Sequence, residues 1–399
     1  MKKGRFKLNL LFKNTLLFIL FFQFSNSVFS QEIIQGAERV DYYFNKLNDK
    51  KIAIIANNTS VIKTSKGSTH IIDTLIARGL SINKIFSPEH GFLGDKDDGE
   101  KFENTFYNNI EIISLYGGNR RLKDEDIDDI DIIIFDIQDV GVRFYTYLST
   151  LHYAMQSAAR KNKKFIIMDR ANPNSFYIDG PILDLKNSSF IGLHPVPIVY
   201  GMTIGEYGLM INGEGWLENN LKVDLEVIKL KNYNHKLKYE PPIRPSPNLP
   251  NIQSIYLYPS LAFLEKTEVS VGRGTTIQFQ IYGHPDFKGD FSFTPQPNFG
   301  SQYPKLKGVL SYGEDLRNYK TSNMIELKWL INSFTQINDK NSFFRSDFDK
   351  LSGTSNLKKQ IIEGLSESEI RDSWKEGLCL LYTSPSPQTS LPPRMPSSA

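Results

Sequence analysis

The chain has 399 residues, 40% hydrophobic, 12% aromatic and 23% charged, with 27 Gly and 20 Pro, a composition that excludes collagen-like, coiled-coil and wholly disordered chains. Its formal charge of +3 comes from the ends, because residues 1–30 carry five basic residues and no acid while residues 31–378 hold 41 basic against 44 acidic. A near-neutral body without a basic tract argues against nucleic acid as a partner, and the single cysteine, Cys379, has no second thiol to pair with.

The first thirty residues read as a secretory signal: Lys2, Lys3, Arg5 and Lys7 precede the apolar run 16–22, and Val28 and Ser30 stand at −3 and −1 of a cleavage point before Gln31. An uncleaved anchor needs a longer run than this one, which Gln23 interrupts. Elsewhere no stretch approaches transmembrane length. The expectation is an exported protein, periplasmic or secreted, with no stable membrane insertion after signal cleavage.

From residue 51 on, apolar runs alternate with helical patterns. The segment 51–56 (KIAIIA) predicts a buried strand, 70–80 a helix, 83–86 and 110–115 strands, 131–135 (DIIIF) another, 147–161 an amphipathic helix and 164–168 (KFIIM) a further strand. Near-continuous apolar strands separated by helices predict a parallel sheet covered on both faces, a Rossmann-like α/β domain over 31–183. Beyond a crossing segment at 181–200 come a helix from Thr203, a strand-like pattern at 222–230, a Pro-rich run at 241–250, a Gly-, Thr- and β-branched-rich stretch at 269–281, and helical patterns at 323–334 and 356–366. This reads as a mixed α/β domain over 184–378. Residues 379–399 hold five Pro and five Ser without periodicity and are read as a tail outside the fold.

Polar residues gather where the predicted strands end. The clusters are Asn57-Asn58-Thr59-Ser60, Ser87-Pro88-Glu89-His90-Gly91, Asp136 through Arg143, and Asp169-Arg170-Ala171-Asn172-Pro173. Ligands of open parallel sheets bind outside the carboxyl ends of the strands, so the four clusters are expected to face one crevice, although each alone has the composition of a turn. G-x-G-x-x-G, Walker A and G-x-S-x-G patterns are absent and the six His lack ligand spacing, so neither a cofactor nor a resident metal is expected. The acidic run 95–98 reads as a solvated loop.

What remains is carboxylate chemistry. Glu89, held between Pro88 and His90-Gly91 after a buried strand, suits a general acid. Asp136 is a candidate second carboxylate, or with Asp139 a partner that orients Arg143. Glu206 is a further catalytic candidate, although Thr203-Ile204-Gly205-Glu206 also fits a capping box. Tyr145 and Tyr147 could stack on a sugar face or serve packing.

The segments NNTSV, SPEHGFLGD, SLYGGNRR, FDIQDVGVRFYTYLST, MDRANPN, GPILD, GMTIGE, SPNLP, YPSLAFLEKTEVSVGRGT and YGHP run in this order between about residues 34 and 378. In this the chain resembles the NamZ-type exo-β-N-acetylmuramidases. The resemblance implies a Rossmann-like N-terminal domain, a mixed α/β C-terminal domain and a sugar cleft between them. The implied activity is that of an exo-acting glycoside hydrolase, which releases N-acetylmuramic acid from the non-reducing end of peptidoglycan fragments, with muramyl saccharides as its partners. The glutamate of the SPEHG motif is Glu89 and the arginine of the DVGxRFYTY motif is Arg143. Joined to the strand-end clusters, this makes Glu89, His90, Asp136 and Glu206 the catalytic candidates. The substrate-binding candidates are Asn57, Arg143, Tyr145, Tyr147, Asp169, Arg170, Asn172, Glu265 and Arg273, with Arg143 expected to read the lactyl carboxylate of muramic acid. Two departures stand out. The family's F-E-G-T-N element reads Leu264-Glu265-Lys266-Thr267-Glu268 here, and His194 stands where a Tyr is common. A non-catalytic cell-wall glycan-binding protein of the same fold is the rival reading; an esterase or amidase lacks an activated nucleophile.

Overall fold

Isoleucine-rich runs bury both faces of the sheet they form. The computed structural model describes residues 32–383 apart from 66, 90, 95–104 and 118. Its strands are β1 (Ile52–Ala56), the hairpin β2 (Val61–Thr64) and β3 (Gly67–His70), β4 (Ile82–Ser87), β5 (Thr105–Tyr107), β6 (Ile110–Ser114), β7 (Ile132–Asp136), β8 (Lys164–Met168) and β9 (Asp224–Ile228). Seven of them make one sheet in the order β5-β6-β4-β1-β7-β8-β9, parallel throughout except for β5, which returns antiparallel along β6.

Successive side chains on a strand point to opposite faces, and here both faces are apolar. Ile52, Ile54, Ile132, Ile134, Ile166 and Met168 pack with Val40, Tyr43 and Leu47 of helix α1 (Val40–Leu47) and with Ile71, Ile72 and Leu75 of α2 (Ile71–Ala77). Ala53, Ile55, Ile133, Phe135, Phe165 and Ile167 face the other way, onto Leu148, Leu151 and Met155 of α3 (Tyr147–Arg160). Helix α4 (Ile204–Gly213) lies close on the same face, where a Cβ at Gly208 would come within 2.3 Å of Ile167 Cδ1.

The remainder holds a three-stranded antiparallel sheet in the order β10 (Ile281–His284), β12 (Ser311–Asp315), β11 (Phe291–Phe293). The same part of the chain holds α5 (Ile252–Leu261), α6 (Lys328–Gln336), α7 (Phe348–Ser352), α8 (Asn356–Ile362), α9 (Glu367–Asp372) and α10 (Lys375–Thr383). From Ile34 on, the chain forms one compact unit. The α/β class read from the sequence is the fold found, a mostly parallel sheet followed by a small antiparallel one with helices.

Several boundaries move. The pattern at 222–230, placed in the second domain, is β9 and extends the first sheet, because its residues pair in parallel register with β8 from Lys164↔Asp224 to Met168↔Ile228. The stretch 269–281 is largely irregular and enters a strand only at Ile281. The helix expected over 356–366 ends earlier, at Ile362: Gly364, at φ 79°, closes it, and a Ser366–Glu369 capping box opens a separate helix beyond the expected range. Helix α10 continues to Thr383, past Leu378, where the fold was expected to end. Residues 1–31 and 384–399, which carry the signal reading and most of the tail reading, lie outside the described residues. Among the described residues no helix is long and apolar enough to cross a membrane.

Candidate active site

A cleft of about 300 Å³ opens between the carboxyl end of β4 and the chain that follows α5. Its first wall is Glu89 with Phe144, Tyr145, Thr146 and Tyr147, and its second includes Asn248, Tyr258, Glu265, Lys266, Arg273 and Phe279.

Glu89 stands two residues beyond β4 and is half-buried. Its Oε2 accepts a 2.6 Å hydrogen bond from Thr146 Oγ1. Thr146 is the N-cap residue of α3, and its hydroxyl makes no bond to the helix backbone; the group that ordinarily closes a helix start is turned onto the carboxyl instead. Tyr147 is fixed from behind, its hydroxyl accepting from Asn57 Nδ2 at 2.9 Å while Asn57 Oδ1 accepts from Thr59 N and Oγ1. The Tyr145 hydroxyl donates to the Pro245 carbonyl at 2.6 Å, and the Tyr145 and Tyr147 rings meet edge to face at 4.9 Å. Burial pushes the Tyr145 hydroxyl pKa well above its ordinary value, keeping it a neutral donor.

On the second wall Arg273 Nε donates to Glu265 Oε2 at 2.7 Å, and Lys266 Nζ reaches Asp347 Oδ2 at 2.5 Å. Phe279, buried at φ 53°, adopts the left-handed region that bulky residues avoid. The conformation costs on the order of 1–3 kcal/mol and is held by the 2.8 Å bond from Phe279 N to the Val271 carbonyl. That bond sets its ring under the Arg273 guanidinium, 5.4 Å from the ring centre.

Of the predicted site residues the cleft brings together Glu89, Tyr145, Tyr147, Glu265 and Arg273. The expectation that four strand-end clusters face one crevice is corrected. Asp136 and Arg170, at the ends of neighbouring strands, neutralise each other inside the protein: Arg170 Nε and Nη2 donate to the two carboxyl oxygens of Asp136 at 2.6 and 2.8 Å, both residues buried. Asp169 accepts from Gly205 N at 2.8 Å and Thr203 Oγ1 at 3.0 Å, and burial pushes its carboxyl up to about 7. It shares a second, smaller pocket with Glu206. Glu206 makes the capping box with Thr203 and also bonds His235 Nε2 at 2.8 Å. Asn172 is spent on Asn174 N and the Met202 carbonyl. Asn57 supports the cleft through Tyr147.

Arg143 is neither a cleft residue nor a partner of Asp136 or Asp139. It is 1% exposed, and its guanidinium donates to the carbonyls of Pro181, Val196, Leu351 and Ser352. Asp139 instead accepts from Gly141 N at 2.6 Å and from the Tyr200 hydroxyl, burial pushing its carboxyl up to about 6. His90 and the acidic run 95–98 lie outside the described residues. His194 is buried away from the cleft, stacked on Trp216 at 4.6 Å and bonded to His152 Nδ1 and the Tyr207 hydroxyl. Burial holds the His194 and His152 rings far below the usual imidazole range, at about 3 and about 4, and therefore neutral.

Sequence reading missed Thr146, Lys266 and Phe279. A signal existed for Thr146, a hydroxyl directly before a predicted helix start. None existed for Phe279, whose position depends on a backbone conformation. Among the described residues no group of three or more His, Cys, Asp or Glu is placed to hold a metal ion.

Residues 52–253 match the family described as exo-β-N-acetylmuramidase NamZ, N-terminal, and residues 256–379 match its C-terminal counterpart. The chain is 32% identical over 367 residues to the peptidoglycan β-N-acetylmuramidase NamZ of Bacillus subtilis, across 84% of this chain and 86% of that protein. Two crystal structures of DUF1343 family proteins from Bacteroides fragilis are similar. One is 41% identical with a TM-score of 0.80, covering 87% of this chain and 95% of its own; the other is 26% identical at 0.74, covering 87% and 96%.

Proposed function

The chain belongs to the exo-β-N-acetylmuramidase NamZ family, a family of glycoside hydrolases, and on that premise we propose that Glu89 is the group that protonates the leaving oxygen. The observation that carries this is the 2.6 Å bond from Thr146 to Glu89 Oε2 on the wall of the cleft. It holds one carboxyl oxygen and leaves the carboxyl's second oxygen to exchange a proton with the glycosidic oxygen. As the bond from the sugar's anomeric carbon to the protonated glycosidic oxygen breaks, positive charge grows on the sugar ring, and the carboxylate left after proton transfer offsets it. The same residue then takes a proton from the water whose oxygen bonds to the anomeric carbon, which completes hydrolysis and restores the acid.

The second wall supplies recognition. Muramic acid differs from glucosamine by a lactyl ether that carries a carboxylate, and among the described residues the cationic groups lining the cleft are Arg273 and Lys266. The role first given to Arg143 passes to Arg273, whose guanidinium lies on Phe279 beside Glu265. Arg273→Ala is expected to raise KM for a chromogenic N-acetylmuramide by about tenfold or more, the equivalent of losing roughly 1.4 kcal/mol of binding. The weak turnover of the matching N-acetylglucosaminide, which has no carboxylate, should change little. Equal losses on both sugars would remove Arg273 from carboxylate recognition.

Export is part of the proposal, supported by the basic start and the apolar run 16–22 ahead of Gln31. The intact mass of the protein made in its own cell is expected to correspond to a chain starting at Gln31. A mass that retains residues 1–30 rules this out.

A further inference from the structure

The turn that carries Glu265 is wrapped around a cation. Lys305 Nζ lies 2.9 Å from the carbonyl oxygen of Leu264, 3.3 Å from that of Glu265, 2.5 Å from that of Thr267 and 2.8 Å from that of Val269. An ammonium has three donors and no acceptor, so four converging carbonyls share its hydrogens, and the longest contact, to Glu265, is the weakest share. Carbonyl dipoles that point at one another repel. Four of them from one short segment converge only where a positive charge sits at the focus. Other contacts hold the same turn: Thr267 N and Oγ1 donate to the Leu264 carbonyl at 3.1 and 2.9 Å, Val269 N donates to Thr267 Oγ1 at 3.1 Å, and Arg345 N donates to the Lys266 carbonyl at 3.0 Å; none of them draws the four carbonyls to one point.

We infer that Lys305 is a positioning residue for the cleft: its ammonium fixes the backbone of 264–269 so that the Glu265 side chain meets Arg273 at the wall that receives the sugar. The role rests on the reading that the Glu265–Arg273 pair touches substrate. Lys305 sits some forty positions from the turn it organises, in a segment that shows no motif, and nothing in its sequence context marks it.

The inference carries a pH signature with a definite sign. Burial pushes the Lys305 ammonium down to about 8; the carboxylates of Glu265 and Glu268 oppose that shift, and the guanidinia of Arg345 and Arg273 add to it. The cage is therefore charged and intact below about pH 8. It is lost as pH rises through that value, because a neutral amine keeps two donors and turns a lone pair toward carbonyl oxygens.

The test is the KM for a chromogenic N-acetylmuramide between pH 7 and 9, measured beside thermal midpoints. In the wild-type protein KM should rise about tenfold across this range while kcat changes less. Lys305→Met, which keeps the stem and removes the charge, should show the raised KM already at pH 7 and a flat profile to pH 9. A folded Lys305→Met with wild-type KM overturns the inference. So does a wild-type KM that stays constant from pH 7 to 9, a measurement that stands even if the variant fails to fold. Arg273→Ala separates the two readings. If it leaves KM unchanged, the wall does not touch substrate and both fall. If it raises KM while Lys305→Met and the pH series do not, only the positioning role falls.

Discussion

Glu89→Gln is expected to lower kcat on a natural muramyl disaccharide by at least about a hundredfold, within the 10²–10⁴ that a positioned general acid contributes. Glutamine keeps the shape of the side chain, and its amide can still accept from Thr146, so the 2.6 Å contact is retained in outline and the fold should be undisturbed. What it lacks is a carboxylic proton. The loss should therefore depend on the leaving group: large for a sugar alkoxide, which needs the proton to depart, and much smaller for an activated phenolate, which does not. Thr146→Val gives the intermediate case. It removes the hydroxyl that holds the carboxyl and keeps the acid, so kcat should fall less than in Glu89→Gln and on the same substrates. Wild-type turnover of the disaccharide by a folded Glu89→Gln protein would place the acid elsewhere, with Glu265 next on the cleft wall.

The strands were legible because burial on both faces writes itself as unbroken apolar runs, and the run 164–168 coincides with β8 residue for residue. The capping box at Thr203 and Glu206 was legible for a similar reason, since it is local chemistry at fixed spacing. Strand β9 was assigned to the wrong part of the chain because only Ile228 in it is fully buried, and its partner strand lies some sixty residues earlier. The polar clusters show the limit more sharply. Sequence shows where a parallel strand ends, and thus which edge of the sheet binds ligand. It does not show whether the polar side chain there turns outward or pairs with the neighbouring strand's end. Asp136 and Arg170 carry opposite charges on adjacent strand ends, and mutual neutralisation in the interior removes both from the crevice. Among the described residues Glu89 has no such neighbour. Its described hydrogen-bond partner is a hydroxyl, so its carboxyl remains available for proton exchange.

Arg143 is expected to be costly to remove, and the cost should appear in stability rather than in KM. Its four acceptors join two neighbouring stretches to a distant one: Pro181 and Val196 at 2.8 Å each, and Leu351 and Ser352 at 3.3 and 2.7 Å. All four are backbone carbonyls, and Arg143 N itself donates to the Ile198 carbonyl at 2.8 Å. A planar fork with five donors suits a carboxylate, which is why the motif suggested substrate. The same fork can also gather carbonyls that no helix or strand satisfies, and that is its use here, although the Val196 carbonyl also accepts from Leu183 N at 3.2 Å. Leaving a buried carbonyl unpaired costs about 1–3 kcal/mol. Water entering the vacated space would recover part of the loss, so Arg143→Met should lose roughly 3 kcal/mol or more. At roughly 2 °C per kcal/mol for a chain of this size, Tm should fall by about 5 °C or more. Arg143→Lys restores the charge but offers three donors from one point, and should recover only part of the loss. Gly353→Ala tests the clamp from the other side. Gly353 sits at φ 80°, and a Cβ there would come within 2.3 Å of Arg143 Nη2, so this small change should also lower Tm. Arg143→Met at an unchanged Tm with a raised KM would return the residue to the substrate. A fall in Tm with unchanged KM in the surviving folded protein makes it the clamp beneath the cleft, whose Leu351 wall it ties to the segments at 181 and 196.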